Sequence, residues 1–239
     1  MDDASVSKYL NQFSLSIRFS SDGFSLLVFD GSGAQISSKN KDCAMFSLSE
    51  DEIKHQLYQE PEFNVNYQHI EITCELDKYA VVPTSLFKPA NAHDFLSLQH
   101  SLIKSEKILY NELELWGLVI VFSIPSTLQS AINHLFPSIK IQHQISNFLS
   151  TKISSRIDTA VNVWLRSTFI DVVVLKNNKL LLVNSYAYAT PEDVAFYILS
   201  VYEQLLLSKD KVVLNTYNAK SKPEIGLLIR QYLSMVIDK

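Results

Sequence analysis

One order of local patterns occurs twice in this chain, and the duplication constrains the fold more than any other feature. From Leu15 to Ser20 polar and apolar residues alternate, and Ser21-Asp22-Gly23 turns the chain. Phe24–Asp30 is apolar, Gly31-Ser32-Gly33 turns the chain again, and Ala34–Ser38 returns. Short runs separated by glycine-containing turns predict a three-stranded meander. A helical pattern follows, then a strand at Gln68–Cys74. From Thr159 the order repeats. Thr159–Leu165, Phe169–Leu175 and Lys179–Tyr186 read as strands, joined by Arg166-Ser167 and Lys176-Asn177-Asn178. A helix and a strand at Val212–Leu214 come next. Two copies of meander, helix and strand predict an α/β protein of two similar halves, 1–115 and 116–239, each built on a mixed sheet.

The helices carry explicit start signals. Ser49 and Glu52 have capping-box spacing, and Leu48 and Ile53 have that of a hydrophobic staple. Thr190 and Asp193 form a second box with Pro191 at the first helical position, followed by an apolar stripe at Val194, Ile198, Val201 and Leu205. Ser221 and Glu224 form a third, with Pro223 between them and Ile225, Leu228, Ile229, Tyr232 and Leu233 facing the core. Between the copies the pattern predicts a strand over Tyr79–Val82 and a short helix capped by Asn91. It also predicts antiparallel strands Lys107–Leu113 and Trp116–Ile124, and a helix from Pro125 or Ser126 through Leu135. Lys140–His143 reads as a strand, Ile145–Ile153 as a helix, and Cys43–Ser47 as one further strand. Val172–Leu175 is apolar on both faces, as in a central strand covered on both sides.

Composition narrows the function classes. Hydrophobic residues make up 47% of 239 and charged residues 19%, enough for a packed core. A net charge of −4 shows no basic surplus of the kind a nucleic-acid binder carries, so no nucleic acid is expected. Met1-Asp2-Asp3-Ala4 is acidic with no apolar run behind it, and uninterrupted apolar stretches such as Leu118–Phe122 are short. No secretory signal or transmembrane segment is therefore expected. Two cysteines, Cys43 and Cys74, cannot make a disulfide scaffold, and a cytoplasmic location follows as the expectation. Only five glycines are present, which leaves little material for loops that bring backbone close to phosphate.

The duplicated order resembles that of the actin-like ATPases, whose fold is a pair of ribonuclease H-like halves. Within that superfamily the stretch from Gly117 to Ser126, Gly-Leu-Val-Ile-Val-Phe-Ser-Ile-Pro-Ser, resembles the link between halves in the actin-like proteins of pilus assembly and type II secretion. Val81-Val-Pro-Thr-Ser-Leu-Phe87 and Leu109-Tyr-Asn-Glu112 resemble an uncharacterised bacterial family, domain of unknown function 3822. The resemblance implies a nucleotide cleft between the halves. It also implies an Asp-x-Gly motif at the end of the first strand, whose carboxylate organises Mg²⁺ and whose glycine admits phosphate.

Those residues are not where the resemblance would place them. The first match is Ile17-Arg18-Phe19-Ser20, and the second is Asn162-Val163-Trp164-Leu165-Arg166. The adenosine-binding Gly-Gly would fall in Leu214-Asn215-Thr216-Tyr217-Asn218. Arg18, Ser20, Ser21, Arg166, Ser167 and Asn215 are the candidate cleft residues, the two arginines as anion ligands or as partners of nearby carboxylates such as Asp22 and Asp171. No catalytic residue, metal ligand or cofactor is assigned. Asp30-Gly31-Ser32-Gly33 reads as a hairpin turn rather than a phosphate cradle, and the six histidines show no metal spacing. Tyr186, Tyr188, Tyr197 and Tyr202 gather at one strand–helix junction, as core or as interface aromatics. The expectation is a non-catalytic actin-like protein that binds a protein partner as a scaffold. The alternative is an ATP-binding protein using unorthodox residues in the same cleft.

Overall fold

Two tight turns set the register of the strands around them. Ser21-Asp22 joins β1 (Ser14–Ser20) to β2 (Gly23–Phe29), with Ser20 opposite Gly23. A Cβ on Gly23 would lie 2.1 Å from the carbonyl oxygen of Lys41, so only glycine lets the third strand close on this corner. The Asp30–Gly33 run is the second turn. The Asp30 carboxylate accepts from the N–H of Ser32 and of Ala34, each at 2.9 Å, and β3 (Gln35–Asp42) returns.

The computed structural model describes residues 13–151, 159–177 and 179–239. The amino-terminal segment, Asn178 and the end of the helix expected over Ile145–Ile153 lie outside the described residues. The chain divides into two compact units, 1–150 and 151–239. The expected division at 115/116 falls inside the first, between two paired strands.

In the first unit the sheet order is β3-β2-β1-β4-β8, with β4 at His69–Cys74 and β8 at Ile141–His143. β1 and β2, and β2 and β3, pair antiparallel; β4 runs parallel to β1 and β8 parallel to β4. Leu15, Ile17 and Phe19 alternate inward from β1, and Ile53 and Leu57 are buried on α1 (Glu50–Tyr58). The Ser49–Glu52 capping box is formed. Cys43–Ser47 is not a strand: residues Met45–Ser47 make one 3₁₀ turn whose Met45 is fully buried. A smaller sheet, β5-β7-β6, comprises β5 (Tyr79–Pro83), β6 (Glu106–Leu113) and β7 (Leu118–Pro125). Ala92 and Leu96 of α2 (Ala92–Ser97) pack on Ala80, Val82, Val119 and Val121. Asn91 makes no side-chain cap there. Gly117, at φ +62°, turns β6 into β7 after a 3₁₀ turn that takes in Trp116. α3 (Ser126–Leu135) buries Leu128, Ala131 and Ile132, and α4 runs over Gln144–Thr151.

The second unit has the same sheet topology in the order β11-β10-β9-β12-β13. Its strands are β9 (Thr159–Leu165), β10 (Phe169–Lys176), β11 (Lys179–Ala187), β12 (Val213–Tyr217) and β13 (Val236–Asp238). β10 is buried from Phe169 to Leu175, as its two-faced apolar pattern predicts. α5 (Pro191–Gln204) begins at the Thr190–Asp193 capping box and buries Val194, Ile198 and Val201 against Val161, Val163, Val172 and Val174. α6 (Pro223–Ile229) adds Ile225 and Ile229 to the same core. Its expected capping box does not form, because the Ser221 hydroxyl donates to the Asn218 carbonyl at 2.7 Å instead. Leu228 is half-buried and Tyr232 is exposed, so the buried face of that helix is narrower than the apolar pattern suggests.

Candidate functional site

In open α/β sheets the carboxyl ends of the strands are where ligands bind. Here those ends are the β1–β2 turn in the first unit and the β9–β10 turn in the second. The two hairpins have matching registers. Ser20 faces Gly23 across one turn, and the N–H of Arg166 donates to the Phe169 carbonyl across the other at 2.9 Å. Leu165 pairs with Ile170 as Phe19 pairs with Phe24. Ser20 is therefore the counterpart of Arg166, and Arg18 is the counterpart of Trp164. The two arginines, which sequence position alone makes look equivalent, occupy different places in their units.

Their surroundings differ as well. Arg18 projects from β1 with 44% of its side chain exposed, and its Nε lies 3.2 Å from the carboxylate of Glu75. Ser20 donates its hydroxyl to the Gly23 carbonyl at 3.2 Å, and Ser21 is exposed in the turn. Arg166 is buried. Its Nε donates to the Asp171 carboxylate at 3.0 Å, and the Ser185 hydroxyl donates to the other oxygen of that carboxylate at 2.6 Å. The Arg166 carbonyl accepts from the Tyr188 hydroxyl, and Lys222 bonds both that hydroxyl and the carbonyl of the exposed Ser167. Of the two local carboxylates expected for the arginines, Asp171 is the one that pairs.

Asn215 sits in mid-strand on β12, opposite Asn162, to which it donates at 3.1 Å. The structure does not bring it to the Arg166 turn. The residue that reaches this turn from β12 is Asn218, which adopts φ +63° where the resemblance would place a glycine and donates to the Leu165 carbonyl. Asparagine tolerates that left-handed conformation better than other side chains do. Among the described residues, the buried Oδ1 of Asn215 has no hydrogen-bond partner, and neither has the Tyr217 hydroxyl two residues later. Tyr217 stacks on Trp164 with ring centroids 4.5 Å apart. Among the described residues, no three His, Cys, Asp or Glu side chains converge on a point that could hold a metal ion.

The tyrosine cluster resolves into separate roles. Tyr202 is buried and donates to the Val212 carbonyl at 3.1 Å, Tyr188 serves the Arg166 turn, and Tyr186 stacks on Tyr197 at 4.7 Å.

A second feature of the first unit was not visible in the sequence. The Asn111 carboxamide accepts from the His143 N–H at 2.8 Å and donates to the Ile141 carbonyl at 3.0 Å. It thereby joins β6 of the small sheet to β8 of the large one. Gln144 treats Leu76 in the same way, accepting from its N–H at 3.0 Å and donating to its carbonyl at 2.6 Å. His143, fully buried between Tyr79 and Phe122, accepts the Ile145 N–H at Nδ1, which leaves Nε2 to donate to the Leu76 carbonyl. Beyond Asn111 a groove of about 230 Å³ opens, lined by Ile108, Leu109 and Tyr110 of β6, Gln129 and Asn133 of α3, and residues 139–141.

Duplicated sheets of this topology define the actin-like ATPase fold. The chain superimposes, over 100% of its own length and 94% of the other chain, on a protein with actin-like ATPase fold and unknown function from Bacteroides thetaiotaomicron VPI-5482, at TM-score 0.84 and 24% identity. More distant likenesses are to a chain of the PilM–PilN type IV pilus biogenesis complex (TM-score 0.55, 10% identity, 95% of this chain and 88% of that one) and to ethanolamine utilization protein EutJ from Carboxydothermus hydrogenoformans (0.54, 6%, 98% and 88%). Residues 3–236 match the model of the protein family of unknown function DUF3822, and the chain belongs to that family. No curated protein matches it.

Proposed function

We propose that this protein is a non-catalytic member of the actin-like superfamily, working in the cytoplasm as a scaffold or partner-binding module. One observation carries the reading. At the β9–β10 turn, where the fold's phosphate chemistry would sit, stands a buried arginine already held by Asp171, and the matching turn of the first unit offers Ser20 and Ser21. Phosphoryl transfer depends on positioned metal and on neutralising the charge that develops on phosphate. The Arg166–Asp171 pair commits that carboxylate to the guanidinium, and a side chain at each turn obstructs the approach of phosphate to backbone amides. No helix among the described residues is long and apolar enough to cross a membrane, which is compatible with this location. The likeness to a chain of a pilus biogenesis complex supports partner binding. The groove beside β6 offers one surface of the first unit on which a partner segment could be tested.

The rival reading is an ATP-binding protein that holds nucleotide through Arg18, Ser20, Ser21, Arg166, Ser167 and Asn215. Thermal unfolding with and without Mg²⁺-ATP separates the two, because a ligand that binds only the native state raises its melting temperature. The expected outcome is no shift and no steady-state phosphate release. A Mg²⁺-dependent turnover that Arg18→Ala abolishes would refute the non-catalytic reading. Affinity capture from the native cell, with the groove variant Asn133→Arg as control, tests the partner-binding half of it.

A further inference from the structure

β11 is the outer strand of the second sheet, and among the described residues no strand pairs with its outer edge. The N–H of Tyr188 donates inward to the Thr168 carbonyl at 3.1 Å. Antiparallel pairing alternates, so the main-chain groups of Val183, Ser185 and Ala187 point to the outer edge. The Ser185 N–H is met there by the side chain of its own neighbour, Asn184 Oδ1 at 3.0 Å. Natural edge strands discourage pairing with charge, especially lysine. β3, the matching edge of the first unit, follows that rule: it carries Lys39 and Lys41, both tied to Glu60, and ends in Asp42. β11 has the sequence Lys-Leu-Leu-Leu-Val-Asn-Ser-Tyr-Ala, with one charge at its start. A bulge against β10 at Leu181 ends the regular edge, which leaves Leu182–Ala187 free of charge. Leu181 is 43% exposed, and Phe196, which reaches this edge through Tyr197 and Tyr186, is 65% exposed.

The occupant is selected by how the strand complements itself. Antiparallel pairing of β11 with a second β11 about Asn184 sets Leu182 opposite Tyr186 and Val183 opposite Ser185. The Val183–Ser185 pairs are those whose main-chain groups face outward, so each exchanges two hydrogen bonds. Leu182 against Tyr186 is an aliphatic–aromatic cross-strand pair of the kind that stabilises sheets. No like charges face each other anywhere along the strand. The same operation on β3 would bring its lysines together.

We propose that the protein forms a two-fold homodimer by pairing β11 of one copy with β11 of another about Asn184, joining their five-stranded sheets into one. Asn184 then releases its neighbour's N–H to the partner strand, and the two Asn184 side chains meet on the axis. Asn184 is exposed in the single chain, so its substitution leaves the fold intact. Light scattering and sedimentation on the full chain should show a dimer with a dissociation constant on the order of 10 μM or tighter. Asn184→Lys and Asn184→Asp each place like charges on the axis and should weaken the dimer at least about tenfold. An equimolar mixture of the two variants should dimerise again. Thermal unfolding of each variant checks that it is folded. A wild type that stays monomeric at about 100 μM, tenfold above that constant, overturns the proposal. So does a dimer that survives Asn184→Lys, or folded variants that fail to associate when mixed.

Discussion

The Nε of Arg166 lies 3.0 Å from the carboxylate of Asp171, which stands on the neighbouring strand with none of its surface exposed. Each member of a charge pair so placed is stabilised by the other, and removing one costs its buried partner a direct charged hydrogen bond. Arg166→Leu should cost about 3–5 kcal/mol in urea unfolding, whereas replacing both residues by leucine should cost less than the single change. Arg18, the half-exposed arginine of the first unit, should lose no more than about 1 kcal/mol as Arg18→Ala. Similar losses for the two arginines would show that the Arg166 pair is not an internal one.

Acid should loosen the first unit at Glu60. The hydrogen bond from Lys39 holds its carboxyl below the usual carboxylate range, against the opposing effect of its burial, with Lys41 adding to the same side. A carboxyl depressed in the folded state contributes stability that is present above its unfolded value, about 4.3, and is lost as pH falls through the folded value. The unfolding midpoint of the wild type should drop over that window, and that of Glu60→Gln should drop less.

Leu206 should be replaceable with profit. It follows α5 at φ +51°, almost wholly exposed, while the N–H of Leu207 closes the helix end on the Tyr202 carbonyl at 2.8 Å. This is the left-handed position that glycine ordinarily fills at a helix end. Leu206→Gly should raise stability by about 1 kcal/mol, the steric cost that a side chain carries in this conformation. A loss measured by chemical denaturation would mean that Leu206 makes contacts which offset the strain.

The two thiols should react in a fixed order. Burial pushes both upward, Cys74 far more than the partly exposed Cys43. Alkylation of the native protein should modify Cys43 slowly and spare Cys74, which should react only once urea unfolds the chain. Mass spectrometry of the labelled peptides reads the order directly.

The repeating meanders were legible because their turns are local: Ser21-Asp22-Gly23 and Arg166-Ser167 announce themselves within a few residues. The Ser49–Glu52 and Thr190–Asp193 caps were legible for the same reason. The Ser221–Glu224 box misled because a serine hydroxyl has several carbonyls in reach, and Asn218 captured it. Cys43–Ser47 misled because burial of Met45 favoured one helical turn over extension. β13 escaped notice at three residues, too short to carry a period. At the candidate site, sequence position suggested matched arginines; only the hairpin registers revealed that Ser20, and not Arg18, is the counterpart of Arg166. The Asn111–His143 and Gln144–Leu76 bonds link residues 32 and 68 apart in the chain, beyond the reach of any local pattern.

Those last bonds set how easily the first unit can be remodelled by heredity. A main-chain ladder survives almost every point mutation, because each residue type except proline brings the same N–H and C=O. The link between the small sheet and β8 is made by a carboxamide instead, so it is encoded by particular codons. One base change from asparagine to aspartate at position 111 would set a carboxylate oxygen against the Ile141 carbonyl and turn an attraction into a repulsion. The strands of the small sheet are thus joined to one another by groups that every residue but proline supplies, while part of their attachment to β8 is spelled out in particular letters of the gene.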